Sequence, residues 1–300
     1  MCGIVGLFAK SPEIEERLGE HLAAMLVQMS SRGPDSAGVA VYRDPASYGS
    51  KLTLYSVDTG ERWDVVRDGL GDAFNACAEP SIRASHAVFV VDADADEAVR
   101  WVRANRPDLR VMSAGQVIEI YKETGLPEEF ARAFALEDIT GTHALGHTRM
   151  ATDSRVTTEG SHPFSTGLDL CLVHNGSLSN HNRLRQNLRR EGIEFQTEND
   201  TEVAAGYLAW RLREGASLEQ ALEGCLDDLD GFYTFAVGTV DGFAVLRDPI
   251  ACKPAVLAET DEWVAMSSEW RSIAVLPGAA DASAWEPAPG VVYAWEKAPV

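Results

Sequence analysis

Apolar residues open the chain in a short run, Cys2-Gly-Ile-Val-Gly-Leu-Phe-Ala9, which Ser11-Pro12 ends. Such a run closed by a breaker reads as a buried strand. From Glu13 to Ser30 the period changes: Ile14, Leu18, His21, Leu22, Met25, Leu26 and Met29 recur at helical spacing, which predicts an amphipathic helix with a mainly acidic outer face. Arg32-Gly-Pro-Asp-Ser-Ala-Gly38 then reads as a turn before a strand from Val39 to Tyr42.

Residues 44 to about 140 have a different texture, with charged loops, a strand over Ala87–Val91, a helix over Asp94–Asn105 and a second strand over Val117–Tyr121. This stretch reads as an inserted α/β subdomain. Beyond it, apolar strands are expected at His143–His147, Leu170–His174, Tyr233–Val237 and Phe243–Leu246, alternating with helices at Asn182–Glu191 and Thr201–Arg213. Further strands are expected at Ala255–Leu257 and Trp263–Ser267. Many strands with few long helices predict a layered α+β architecture. No internal repeat and no low-complexity linker is visible.

A chain of 300 residues is long enough to bury a substantial core, and 45% hydrophobic with 24% charged residues is ordinary globular composition. The net charge of −20 would repel a phosphate backbone, so nucleic acid is not an expected partner. Cys2, Cys77, Cys171, Cys225 and Cys252 are odd in number and scattered, without a C-x-x-C pair, which points to a reducing compartment. No apolar run approaches the ~20 residues of a membrane span, and no secretory signal is visible, so no membrane association is expected and the cytoplasm is the expected location.

Cys2 carries the most chemical information. Initiator methionine is normally removed before so small a residue, which would leave a thiol and a free α-amine on one residue. An α-amine titrates near 7.7–8.0 and can take the thiol proton directly or through a water, so no separate histidine base is required. Alone, Cys2 reads more readily as a small buried residue opening a strand.

Five further segments bear on that choice: Arg32-Gly-Pro-Asp-Ser-Ala-Gly38, Gly146-His-Thr-Arg-Met-Ala-Thr152, His162-Pro-Phe164, His174-Asn-Gly176 and Asn199-Asp-Thr-Glu202. Together with the N-terminal Cys-Gly-Ile they resemble the class II glutamine amidotransferases. Leu229-Asp-Gly-Phe-Tyr233 and Arg247-Asp-Pro-Ile-Ala-Cys-Lys-Pro254 extend the likeness toward the C-terminus, so one amidotransferase domain over residues 2–300 is expected, interrupted at about 44–140. The resemblance implies an N-terminal-nucleophile fold, a four-layer αββα sandwich with an inserted α/β subdomain. It also implies that Cys2 attacks the side-chain amide of glutamine, releases ammonia and forms a glutamyl thioester that water hydrolyses. By the same resemblance Asn175 and the Gly176 N–H form the oxyanion hole, as acyl transfer requires donors aimed at the developing charge. Arg149 and Thr152 would hold the glutamine α-carboxylate, and Asp200 its α-ammonium. Arg32 and Asp35 would shape the loop beside the nucleophile, with His147, His162 and His174 supporting the site. A metal is not expected: Cys171 and His174, three apart on a strand, point to opposite faces. Met150 and Asp153 depart from the residues common in sugar-amidating relatives.

No nucleotide-binding or sugar-isomerase signature is recognisable, so the ammonia acceptor is expected on another polypeptide. The spacing between Arg32-Gly33 and Gly146-His147, with Ser113-Ala-Gly-Gln-Val-Ile-Glu-Ile-Tyr-Lys122, resembles the separate amidotransferase subunits of glutamate-synthase systems and of N-methylglutamate synthase. That likeness implies no cofactor in this chain, with FMN and an iron–sulfur cluster in partner subunits; five scattered cysteines provide no cluster-binding run. Two other readings stand beside it: a noncatalytic regulatory subunit, and an N-terminal-nucleophile hydrolase of other amides. The latter would leave the pairing of Arg149 with Asp200 unexplained.

Overall fold

The computed structural model describes residues 2–151 and 155–297. Two antiparallel sheets lie face to face. The larger has seven strands, with Gly3–Ala9 at its centre between Trp263–Ser267 and His143–Arg149. Beyond His143–Arg149 come Ser36–Tyr42 and the edge strand Ile118–Thr124. The smaller sheet has four strands, and its edge is Cys171–Leu178, paired with Gly231–Gly238.

Alternation along the strands builds the layers. Ile4, Leu145, Val173, Ala236, Phe243 and Met266 fill the space between the sheets. On the outer face of the large sheet, Leu22, Met25 and Leu26 of the helix Leu18–Val27 pack over Val5, Leu7 and Val39. On the outer face of the small sheet, Val203, Leu208 and Leu222 from the helices Asp200–Arg213 and Leu218–Asp228 cover Leu172, Phe235 and Leu246. The result is the expected αββα sandwich.

The helix expected over Glu13–Ser30 is two helices, Pro12–Glu16 and Leu18–Val27, broken at Arg17. Leu218–Asp228 was not expected as a helix; a Ser217–Gln220 capping box starts it, and Ala221, Leu222 and Cys225 are its buried stripe.

A third sheet of Ser50–Tyr55, Ser81–Arg83, His86–Val91 and Arg110–Gly115 carries the helices Trp63–Phe74 and Ala95–Asn105 on one face. Its chain order is βαββαβ, with the first and third strands central, the ferredoxin-like arrangement. Asp94 caps the second helix by accepting the N–H groups of Asp96 and Glu97. The strand expected over Val117–Tyr121 is Ile118–Thr124, and it pairs with Ser36–Tyr42 in the large sheet, so the third sheet occupies 50–115. Asp169 ties the junction: its carboxylate accepts the backbone N–H groups of Gln116, Val117 and Ile118 at 2.7, 2.8 and 3.0 Å. Among the described residues no helix is long and apolar enough to cross a membrane.

Candidate active site

Cys2 stands where the central strand of the large sheet begins, half-buried, its Sγ 3.9 Å from the Met150 carbonyl. Its own carbonyl accepts two hydrogen bonds, from Arg32 Nε at 2.9 Å and from Asn175 Nδ2 at 3.2 Å. Arg32 is buried, 8% exposed, and turns Nη1 to Glu269 at 2.5 Å. Its Nη2 is buried without a hydrogen-bond partner among the described residues. Arg32 thus braces the start of the strand against the segment after Trp263–Ser267. Glu269 was not foreseen, since a lone carboxylate in a loop gives no sequence signal.

The turn that carries Arg32 lies against the end of His143–Arg149 so closely that a Cβ on Gly33 would stand 2.3–2.5 Å from the backbone of Thr148 and Arg149. Only glycine permits that approach. Asp35 completes the contact from both of its ends, donating its N–H to the Arg149 carbonyl at 3.1 Å and accepting the Ala151 N–H at 2.8 Å. Arg149 itself is buried, with Nη1 on the Arg155 carbonyl at 3.3 Å. Thr152 lies outside the described residues.

The small sheet supplies the facing groups. Asn175 points between the sheets to Cys2, while Gly176 has φ +154°, and a Cβ there would meet the Phe232 carbonyl at 2.0 Å and His174 Nε2 at 2.7 Å. Asp200 is the first residue of Asp200–Arg213, whose N-cap Asn199 accepts the Thr201 N–H. Asp200 Oδ2 accepts the Leu178 N–H at 2.9 Å, and the side chain keeps 24% of its surface exposed. A carboxylate has about four lone-pair positions, so it retains acceptor capacity toward the opening.

The three expected histidines are brought together. The rings of His147 and His162 lie 4.0 Å apart and those of His162 and His174 6.4 Å. His162 Nδ1 accepts the His174 backbone N–H at 3.4 Å, so its Nε2 bears the hydrogen and donates to the Thr201 hydroxyl at 3.1 Å. Thr201 in turn donates to His174 Nδ1 at 2.9 Å, which leaves the hydrogen of His174 on Nε2, a buried donor against Gly176 with no partner among the described residues. His147 Nε2 donates to the His174 carbonyl at 3.1 Å. Burial drives the pKa of all three down, that of His147 to about 3, so the cluster is neutral at ordinary pH. Cys171 faces the opposite way, with Sγ 3.4 Å from the Tyr42 hydroxyl in the core between the sheets.

Lys122 was not foreseen as part of this region. Its Nζ is buried and donates to the carbonyls of Glu159, Ser161 and Pro163 at 3.1, 2.9 and 3.2 Å, holding the loop that carries His162. Burial lowers its pKa to about 8.

A family model described as a glutamine amidotransferase domain matches residues 147–275. Over 297 residues the chain is 52% identical to the glutamine amidotransferase-like protein GlxB of Rhizobium meliloti (strain 1021), a match spanning 99% of this chain and 98% of that protein. It is 33% identical over 157 residues to the amidophosphoribosyltransferase of Archaeoglobus fulgidus, spanning 51% of this chain and 34% of the relative. Among solved structures, glutamine phosphoribosylpyrophosphate amidotransferase from B. subtilis superposes with a TM-score of 0.63 at 21% identity, over 98% of this chain. The chain spans about half of that protein, 47%, and the likeness is one of fold.

Proposed function

The chain belongs to the class II glutamine amidotransferases, and from that membership we propose that Cys2, freed at its α-amine by removal of Met1, cleaves the side-chain amide of glutamine. The observation that carries this reading is the convergence on Cys2 of Arg32, Asn175 and the Met150 carbonyl, from three segments far apart in sequence.

In this mechanism the Cys2 α-amine takes the thiol proton, directly or through a water, as the sulfur adds to the amide carbon and the carbonyl electrons move onto oxygen. An Asn side-chain amide has two N–H donors. One Asn175 N–H is committed to the Cys2 carbonyl, and the other is available for the oxyanion beside the Gly176 N–H. Proton transfer from the Cys2 α-ammonium to the nitrogen lets ammonia leave, giving a thioester. The α-amine then takes a proton from water, whose oxygen attacks the thioester and releases glutamate and the thiol. Arg149 and Asp200 hold the two charged ends of glutamine, and Thr152 adds a hydroxyl to the carboxylate. Arg32, Asp35, His147, His162 and His174 fix the segments that bear these groups.

The ammonia passes to a separate synthase polypeptide of glutamate-synthase type, with FMN and an iron–sulfur cluster in the partner subunits. That part of the proposal rests on the motif spacing described above. The alternative reading is the amidotransferase subunit of an N-methylglutamate synthase, which the same motif spacing resembles.

Intact-mass analysis before and after 6-diazo-5-oxo-L-norleucine, a glutamine-mimicking alkylator, tests the site. Loss of Met1 and a single adduct on Cys2 is the expected result. Retained Met1, or a processed chain that stays unlabelled with its partners present, overturns it in favour of a structural subunit.

A further inference from the structure

The junction between the βαββαβ unit and the amidotransferase body holds a cleft of about 610 Å³, within the size range of small-molecule sites and at the kind of interface where they occur. Met112 and Val99 from the unit, with Leu170, Ile193 and Leu212 from the body, give it apolar walls. Three arginines, Arg100, Arg103 and Arg213, line it in a protein of net charge −20. Arg103 is paired with Glu194 across the cleft, whereas Arg213 Nη2 donates to the Glu191 carbonyl at 2.6 Å and its Nε lies 3.8 Å from the exposed Glu214 carboxylate, a looser ion pair. Arg100 is exposed and forms no ion pair among the described residues; Asp96 stands on the same wall. Thr166 lines the cleft, and its hydroxyl is buried without a hydrogen-bond partner among the described residues. A buried polar atom without a partner is costly unless something else meets it.

The cleft is also connected to Asp200. Gln196 crosses it, donating Nε2 to the Val111 carbonyl at 3.1 Å. The Gln196 and Thr197 N–H groups bind the Glu202 carboxylate at 2.7 and 2.8 Å, so that charge is occupied by the backbone. Thr197 Oγ1 accepts the N–H of Asn199, the residue that caps the helix beginning with Asp200.

We propose that this cleft binds a small organic anion with an apolar body. Its charge is met by Arg100 and Arg213, its polar edge by Thr166, and its binding is felt at Asp200 through residues 196–199. The site would let a metabolite of that chemistry set how the glutamine anchor is held, by differential binding to two arrangements of one segment.

8-Anilinonaphthalene-1-sulfonate, an apolar fluorescent anion, serves as the probe in a titration of the full chain. One saturable site is expected, weakened about tenfold in the R100E/R213E variant and about threefold in Thr166→Val, with Arg17→Glu, a distant exposed charge reversal, unchanged. Hydrogen exchange at residues 196–201 should slow when the probe is bound. Absence of a saturable site, or equal affinity in R100E/R213E, overturns the binding site; unchanged exchange at 196–201 with the probe bound overturns its link to Asp200. None of these readouts depends on Cys2 chemistry, so the proposal and the glutamine reading fail separately.

Discussion

Arg32 and Asn175, 143 positions apart in the sequence, donate to one acceptor, the Cys2 carbonyl, at 2.9 and 3.2 Å. The first comes from the turn after the outer helix and the second from the facing sheet. Cys2 is therefore held across the seam of the sandwich, and the Asn175 side chain, the proposed oxyanion donor, is aligned to it by the same bond.

Replacing Asn175 by Ala removes both N–H groups and leaves the Cys2 carbonyl with Arg32 alone. A lost oxyanion donor costs about 100- to 1000-fold in kcat. Steady-state glutaminase assays should show that loss with KM nearly unchanged, because the donor acts on charge that develops after binding. A rise in KM at constant kcat would instead place Asn175 in ground-state binding.

Arg32 differs in being a brace. Arg32→Met removes the Nε bond to Cys2 and leaves the Glu269 carboxylate, one-third exposed, with Arg271 as its remaining ion-pair partner. A cost of about 1–3 kcal/mol is expected in urea unfolding, with kcat falling through displacement of Cys2. Glu269→Gln keeps an oxygen for Nη1 and should recover most of that stability. Equal damage from both variants would show that charge, and not the hydrogen bond, holds the strand.

What could be read beforehand follows from which interactions are local. Gly3–Ala9 and Trp263–Ser267 announce themselves because each strand is a compact apolar run. The candidate residues Cys2, Arg149, Asn175 and Asp200 were nameable because the short motifs that carry them resemble those of the class II amidotransferases. Glu269 and Lys122 were not, since each acts through partners distant in sequence: Arg32 for the first, and the carbonyls of residues 159–163 for the second. The strands Ser50–Tyr55 and Arg110–Gly115 escaped notice for a similar reason. Lys51 and Thr53 interrupt the apolar pattern, and both are buried with polar partners distant in sequence, Glu119 of the large sheet for the first and Ser113 on the neighbouring strand for the second.

Asp200→Asn separates two jobs of one carboxylate. Asn keeps an oxygen for the Leu178 N–H, so the helix start is preserved while the negative charge is lost. If that charge holds the glutamine α-ammonium, the glutamine KM rises about 10- to 100-fold, the worth of a charged hydrogen bond, with a smaller change in kcat. Urea stability should stay within about 0.5 kcal/mol of the parent. An unchanged KM would remove Asp200 from the substrate contacts.

The buried histidines set the response to acid. Burial holds His86, His143 and His147 at about 3, against an ordinary value of 6.5, and lowers His21, His162 and His174 in the same direction. A histidine with a depressed folded pKa is neutral in the native state, whereas the unfolded chain takes up the proton as pH drops through 6.5. Its stabilising contribution is thus present above 6.5 and lost progressively as pH falls toward 3. With at least three such groups, stability should fall by about 4 kcal/mol per pH unit once the unfolded histidines are fully protonated, near pH 5. His143 offers the cleanest variant, since it stacks on Tyr42 at 4.1 Å, donates Nε2 to the Thr239 carbonyl at 2.8 Å, and lies outside the proposed glutamine contacts. His143→Gln keeps a donor of similar reach but cannot titrate. Urea unfolding from about pH 5 to 7 should show its slope against pH reduced by one proton, about 1.4 kcal/mol per unit at the acid end. A slope identical to the parent's would mean that His143 is protonated in the folded state and that its burial is compensated by a group other than Thr239.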